Sequence, residues 1–168
     1  YLDRLTDVNQ RFLGRQRQDN LSYALDFSLE ELRQLRVSER RNQQGNPAFP
    51  SRFPQGHSRF EIPTLAEVVQ LIQGLNHSTG KKVGLLIEIK SPGWHHQQGR
   101  DLSQKVLEVL ENLAVNDNNC PIILESFDAP EVKRLRNELK TEFPLLQLLE
   151  KNSWQESTET DYEFLLTK

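Results

Sequence analysis

The chain has a single cysteine, Cys120, and no methionine. One cysteine excludes an internal disulfide and any cysteine-based zinc cluster. There is no excess of positive charge: 21 Lys and Arg stand against 24 Asp and Glu, a net charge of −3. That argues against a protein built mainly to grip a nucleic acid backbone, which needs a basic footprint. Long apolar runs are missing too. The longest, Val83 to Ile87, is far short of the ~20 residues a membrane helix needs. No basic-then-apolar leader opens the chain. Hydrophobic residues make up 36%, low for a compact domain but above the disordered class. A length of 168 residues suits one domain. A first residue of Tyr rather than Met reads as processing or truncation.

What is present is an ordered alternation of helix and strand signals. Ser28-Leu29-Glu30-Glu31 has a capping-box pattern, and Leu29, Leu32 and Leu35 follow at helical spacing. Residues 37–62 hold Pro47, Pro50 and Pro54 and few aliphatics, which predicts a long irregular segment. Phe49, Phe53 and Phe60 are its candidate anchors. A second capping box, Thr64 with Glu67, opens a helix whose stripe is Leu65, Val68, Val69, Leu71, Ile72 and Leu75, ended by Asn76 to Gly80. A strand is predicted over 83–90, a helix from about Asp101, a turn over 116–119 and a strand over 121–127. Asp128 then caps a helix with Glu131 at its third position, and a strand follows over 145–149. Such alternation predicts parallel βαβ units, and the apolar strands predict a sheet covered on both faces. Trp154 to Asp161 reads as a loop, with a further element beginning at Tyr162.

Polar residues recur at the C-terminal ends of these strands. Alternation puts Leu86, Glu88 and Lys90 on one face of the first strand. Glu125 shares a face with Ile123 and Phe127, and Gln147 shares one with Leu145 and Leu149. In parallel α/β folds ligands bind at that end. The plainer alternative is an edge strand with a solvated Glu–Lys pair, and Glu125 paired with a nearby cation. Glu88 is a hard oxygen donor suited to Mg²⁺ or Ca²⁺, and Lys90 is a point charge suited to phosphate. Adjacent His95 and His96 lack the helical spacing of a zinc pair and read as loop residues, as do His57 and His77. Gly74 to Lys82 is no phosphate-binding loop, because it runs from helix to strand. Cys120 has no evident histidine partner.

In order and spacing these segments resemble the bacterial periplasmic type of glycerophosphodiester phosphodiesterase. The resemblance is carried by residues 1–8 (YLDRLTDV), Asp26 to Leu32 (DFSLEEL), Arg52-Phe53-Pro54, Gly74 to Lys81, Glu88-Ile89-Lys90, His95-His96-Gln97 and Ser126-Phe127-Asp128. It implies an α/β fold, here an incomplete TIM (β/α)8 barrel with the irregular insertion 37–62. The whole of 1–168 is then one partial domain, since a barrel needs about 250 residues. The implied reaction is metal-dependent hydrolysis of small-molecule glycerophosphodiesters to sn-glycerol 3-phosphate and an alcohol, in the periplasm. The implied cofactor is a divalent cation, Ca²⁺ in this branch with Mg²⁺ as the alternative. The resemblance makes Glu88 a metal ligand, Lys90 a phosphate contact, and Phe127 and Gln147 pocket-lining residues. The family's two catalytic histidines and its other two metal carboxylates fall before Tyr1, so no catalytic residue is assigned within the chain. Two further readings remain at this point: a non-catalytic glycerophosphodiester-binding or host-interaction protein on the same barrel, and an open doubly wound sheet with an unrelated ligand.

Overall fold

A computed structural model describes residues 1–42, 44–50, 52, 60–115 and 119–149. The chain, expected as one partial domain, gathers its contacts into two compact units, Tyr1–Pro63 and Thr64–Lys168.

The first unit has little regular structure. It comprises 3₁₀ turns at Leu2–Arg4 and Ala24–Asp26 and the short helices α1 (Val8–Arg11) and α2 (Leu29–Gln34). The Ser28 capping box is formed as expected: its side chain accepts from the Glu31 N–H, and Glu31 accepts from the Ser28 N–H. Leu2, Val8, Phe27 and Leu35 make a small core, joined by Phe12, Leu32 and Ile62. Carboxylates order the loops around it. Asp3 accepts from the Ser22 N–H at 2.8 Å and Asp7 from the Arg36 N–H at 2.7 Å. Among its described residues the proline-rich stretch has isolated antiparallel bridges, Thr6 with Val37, Val37 with Phe60, and Arg41 with Pro47. Phe49 and Phe60 are about half exposed, and Phe53 lies outside the described residues. Within the stretch the buried Glu39 carboxylate receives Arg52 at 2.6 and 3.1 Å. The Arg52 guanidinium in turn stacks on the Phe49 ring at 4.4 Å.

The second unit is a βα repeat. Its elements are α3 (Leu65–Thr79), β1 (Leu85–Glu88), α4 (Pro92–Gln97), α5 (Leu102–Asn112), β2 (Ile122–Ser126), α6 (Ala129–Asn137) and β3 (Leu145–Gln147). The strands are shorter than predicted but form the predicted parallel sheet, in the order β1-β2-β3. Thr64 and Glu67 form the second capping box. Asn76 to Thr79 continue α3 rather than ending it, and Gly80 terminates it in the left-handed region at φ 66°. Asn76 is buried and stitches α3 to the sheet. Its amide donates to the carbonyls of Val83 and Asn119 and accepts from the Val83 N–H at 2.8 Å. Gly84 has no room for a side chain, since a Cβ there would meet the Pro121 carbonyl oxygen at 2.6 Å.

The core lies on one side of the sheet. Leu85, Ile87 and Ile89 from β1 and its end, Ile122 and Leu124 from β2, and Leu145 from β3 pack with Val69, Leu107, Leu110 and Leu135 of the helices. Cys120 is part of this core, and burial pushes its thiol up. On the other side Leu86, Ile123 and Leu146 stay exposed, at 56, 38 and 41%. The expectation of a sheet covered on both faces therefore fails among the described residues. One face is packed by helices and the other is bare, which also argues against a doubly wound sheet. No described helix is long and apolar enough to cross a membrane. The expected loop and final element beyond Trp154, His57, and most of the turn at 116–119 lie outside the described residues.

Candidate functional site

The bare face carries the charged strand ends. Ile89 is buried at the end of β1, so alternation turns Glu88 and Lys90 the other way, onto the face of Leu86. The Lys90 ammonium lies 3.4 Å from the Glu88 carboxylate, with side chains 55 and 33% exposed. A pair so exposed contributes little to stability. In β2 the same face takes Ile123 and Glu125. The register pairs Leu86 with Ile123, Glu88 with Glu125, and Glu125 with Leu146. The structure thus brings Glu88, Lys90 and Glu125 together on an otherwise aliphatic surface. Among the described residues no side chain pairs with the half-buried Glu125 carboxylate. Phe127, half-buried, follows at the end of β2.

Gln147 does not join them. The register sets it beside Ser126, on the helix-covered face with Leu124 and Leu145. Its amide donates to the backbone carbonyls of Ser126, Phe127 and Leu148 at 3.2, 3.1 and 2.8 Å. Gln147 keeps the face of Leu145, as alternation predicts, but the register turns that face towards the helices, and there Gln147 ties strand ends rather than facing the carboxylates.

A buried hydroxyl holds the two charged strand ends in place. Ser126 Oγ donates to the Ile89 carbonyl at 2.8 Å and accepts from the Asp128 N–H at 3.2 Å. Asp128 in turn caps α6 by accepting from the Glu131 N–H. Ser126→Ala removes one partner from each of two buried backbone groups. The expected cost is about 1–3 kcal/mol of unfolding free energy, read by denaturant titration.

After β1 the backbone passes through Ser91 in the left-handed region, φ 49°, and enters α4 at the buried Pro92. His95 and His96 therefore lie on a short helix, not on an extended loop. Burial, followed by the charge of His96, holds His95 below the usual imidazole range. Its ring meets Trp94 edge to face at 4.8 Å. His96, Asp101 and Glu131 each point one ligand atom into a common space, within 4.8 Å of one another. Such a donor set suits a cation, and the chain supplies one. Arg134 places Nη1 3.3 Å from His96 Nε2 and 2.7 Å from Glu131 Oε1, and Nη2 2.5 Å from Asp101 Oδ2. Hydrogen bonding to Asp101 raises the Arg134 pKa further. The guanidinium, then the Gln104 N–H, holds the Asp101 carboxyl below the usual range. This cluster joins the helix after β1 to the start of α5 and to α6. Sequence reasoning treated Asp101 and Glu131 only as helix-start signals and passed over Arg134. The one local clue was Arg134 three residues after Glu131.

A family model described as glycerophosphoryl diester phosphodiesterase matches residues 1–168. A Haemophilus influenzae protein named glycerophosphodiester phosphodiesterase is 39% identical over 168 residues, covering 96% of this chain and 46% of that protein. A Treponema pallidum protein of the same name is 34% identical over 163 residues, covering 95% of the chain and 46% of its own length. The chain thus spans about half the length of the curated relatives it matches.

Proposed function

The chain belongs to the glycerophosphoryl diester phosphodiesterase family, and from that premise we propose that it supplies the middle of a TIM barrel that hydrolyses glycerophosphodiesters to sn-glycerol 3-phosphate and an alcohol. The observation that carries this reading is the one-sided sheet. Its helices cover one face, while the bare face holds Glu88, Lys90 and Glu125 at the C-terminal ends of parallel strands. In a closed barrel such a face points inward, and the strand ends form the ligand-binding rim.

The donor set fits a hard divalent cation, since carboxylate oxygens are the ligands Ca²⁺ and Mg²⁺ prefer. Glu88 would hold it, with Ca²⁺ the favoured ion. A bound cation would supply Lewis-acid polarisation of the phosphoryl oxygens. Lys90, two residues on and at the same rim, binds the substrate phosphate and offsets charge that builds on it as the bond to the alcohol breaks. Phe127 gives the pocket an apolar wall. Proton transfer falls to residues outside this chain. A periplasmic location is part of the same proposal and rests only on the resemblance of the sequence to the periplasmic branch of the family.

The test is an assay of glycerol 3-phosphate release from glycerophosphocholine, with Ca²⁺ or with chelator. A full-length protein carrying this chain is expected to turn over only with the cation. The 168-residue chain alone is expected to release nothing above background. Cation-independent turnover, or turnover by the isolated chain, refutes the assignment.

A further inference from the structure

Glu88 and Lys90 stand two residues apart, yet their backbones are held differently. The peptide that follows Glu88 is fixed by the sheet, where the Ile89 N–H donates to the Glu125 carbonyl at 2.8 Å. The next peptide, which leads into Lys90, is held by a side chain. Its carbonyl, that of Ile89, accepts from Ser126 Oγ at 2.8 Å. Ser126 is fully buried, and its hydroxyl is itself fixed, because it accepts from the Asp128 N–H at 3.2 Å. Directly after Lys90 the chain leaves the sheet through Ser91, at φ 49° and ψ 49°. A residue with a side chain rarely takes that left-handed conformation, and a residue before proline favours extended backbone. Such backbone persists only where its surroundings over-determine it. Here the Ile89 carbonyl is tied on one side, and the buried ring of Pro92 fixes the chain on the other.

We propose that Ser126 is a positioning residue for the reaction: its hydroxyl sets where Lys90 stands at the rim, while the sheet sets Glu88. This rests on the reading of Lys90 as the contact to the substrate phosphate. An ammonium on a four-carbon stem is flexible. Its aim depends on a fixed Cα and on the Glu88 carboxylate 3.4 Å away. Without the hydroxyl the peptide between Ile89 and Lys90 is free to rotate, and the strained turn at Ser91 is free to relax. Both changes move the base of Lys90 and leave Glu88 in place. A charge displaced by about 1 Å stabilises the negative charge building on a phosphate less, because such contacts act fully only when preorganised. Ser126 itself sits on the helix-covered face, away from substrate and ion, so its effect reaches the reaction only through Lys90.

The experiment measures kcat and KM for glycerophosphocholine at saturating Ca²⁺ in a full-length protein carrying this chain. The same constants are measured in its Ser126→Ala and Lys90→Met variants and in the double variant. Calorimetric titration with Ca²⁺ gives the cation affinity, and its stoichiometry gives the folded fraction to which kcat is referred. Ser126→Ala is expected to lose ~10–10²-fold in kcat/KM at wild-type Ca²⁺ affinity. In the Lys90→Met background the same change costs no more than ~2-fold, since two groups acting through one contact are not additive. A merely structural role predicts the opposite pattern: losses that multiply, and a Ca²⁺ affinity that falls in step with turnover. Either of these overturns the inference, as does a Ser126→Ala protein with wild-type kcat/KM or one that does not fold. Unchanged kcat/KM in Lys90→Met overturns instead the reading of Lys90 from which the role of Ser126 follows.

Discussion

Replacing Arg134 with Met is expected to lower the unfolding free energy by about 3 kcal/mol, the low end of what breaking a buried ion pair costs. The reason is the state of the partners left behind. Glu131 has a side chain only 7% exposed, and Asp101 one 27% exposed. Met fills the volume of the arginine stem but gives neither carboxylate a donor. An uncompensated buried charge costs more than the pair contributes, so the loss exceeds that of a surface bridge. Arg134→Lys recovers only part of it, since an ammonium cannot present the planar fork that reaches Asp101, Glu131 and His96 together. The effect also depends on pH. Arg134 holds the Asp101 carboxyl below the usual range. A carboxyl with a depressed folded-state pKa contributes stability that is complete above its unfolded value of about 3.9 and lost as pH falls through the folded value. The gap between wild type and Arg134→Met is therefore widest near neutrality and narrows below about pH 4. Denaturant titrations across that range measure it, and a gap that stays constant into acid contradicts the pairing.

That cluster shows where sequence reading reaches its limit. The capping boxes at Ser28 and Thr64 were legible because each is complete within four residues. The parallel sheet was legible because strand and helix signals alternate at βαβ lengths. Helix α4 was not. Six residues starting with Pro-Gly carry no apolar period, and the segment is pinned by Arg134 from α6, a contact 38 residues away in sequence. The bare face was not legible either, since Leu85 to Ile89 is apolar on both faces apart from Glu88. Only packing tells which side the helices take. The side taken by Gln147 was hidden for a related reason: alternation puts it with Leu145, but only the register with β2 shows that this face meets the helices and not the carboxylates. Glu88 and Lys90 stood out because alternation on a single strand suffices to put them together, whereas their adjacency to Glu125 exists only through the register.

Glu88→Gln separates function from folding at the site itself. In a full-length protein carrying this chain, kcat/KM for glycerophosphocholine is expected to fall by ~10²–10³-fold, the scale of losing a preorganised electrostatic contact to the reacting group. Stability is expected to hold, and in chelator to rise slightly. The Lys90–Glu88 pair is too exposed to contribute much, at 55 and 33%. Neutralising Glu88 also removes its repulsion with Glu125, its register neighbour. A carboxylate that destabilises the fold while it supports the reaction has the signature of a functional group rather than a structural one. Lys90→Met tests the other half of the pair. It should raise KM or lower kcat with Ca²⁺ affinity intact, because the ammonium is assigned to the phosphate and not to the ion. Two outcomes contradict this division of labour: an active Glu88→Gln protein with unchanged Ca²⁺ dependence, or a Glu88→Gln protein whose loss of activity tracks a loss of folded protein by circular dichroism.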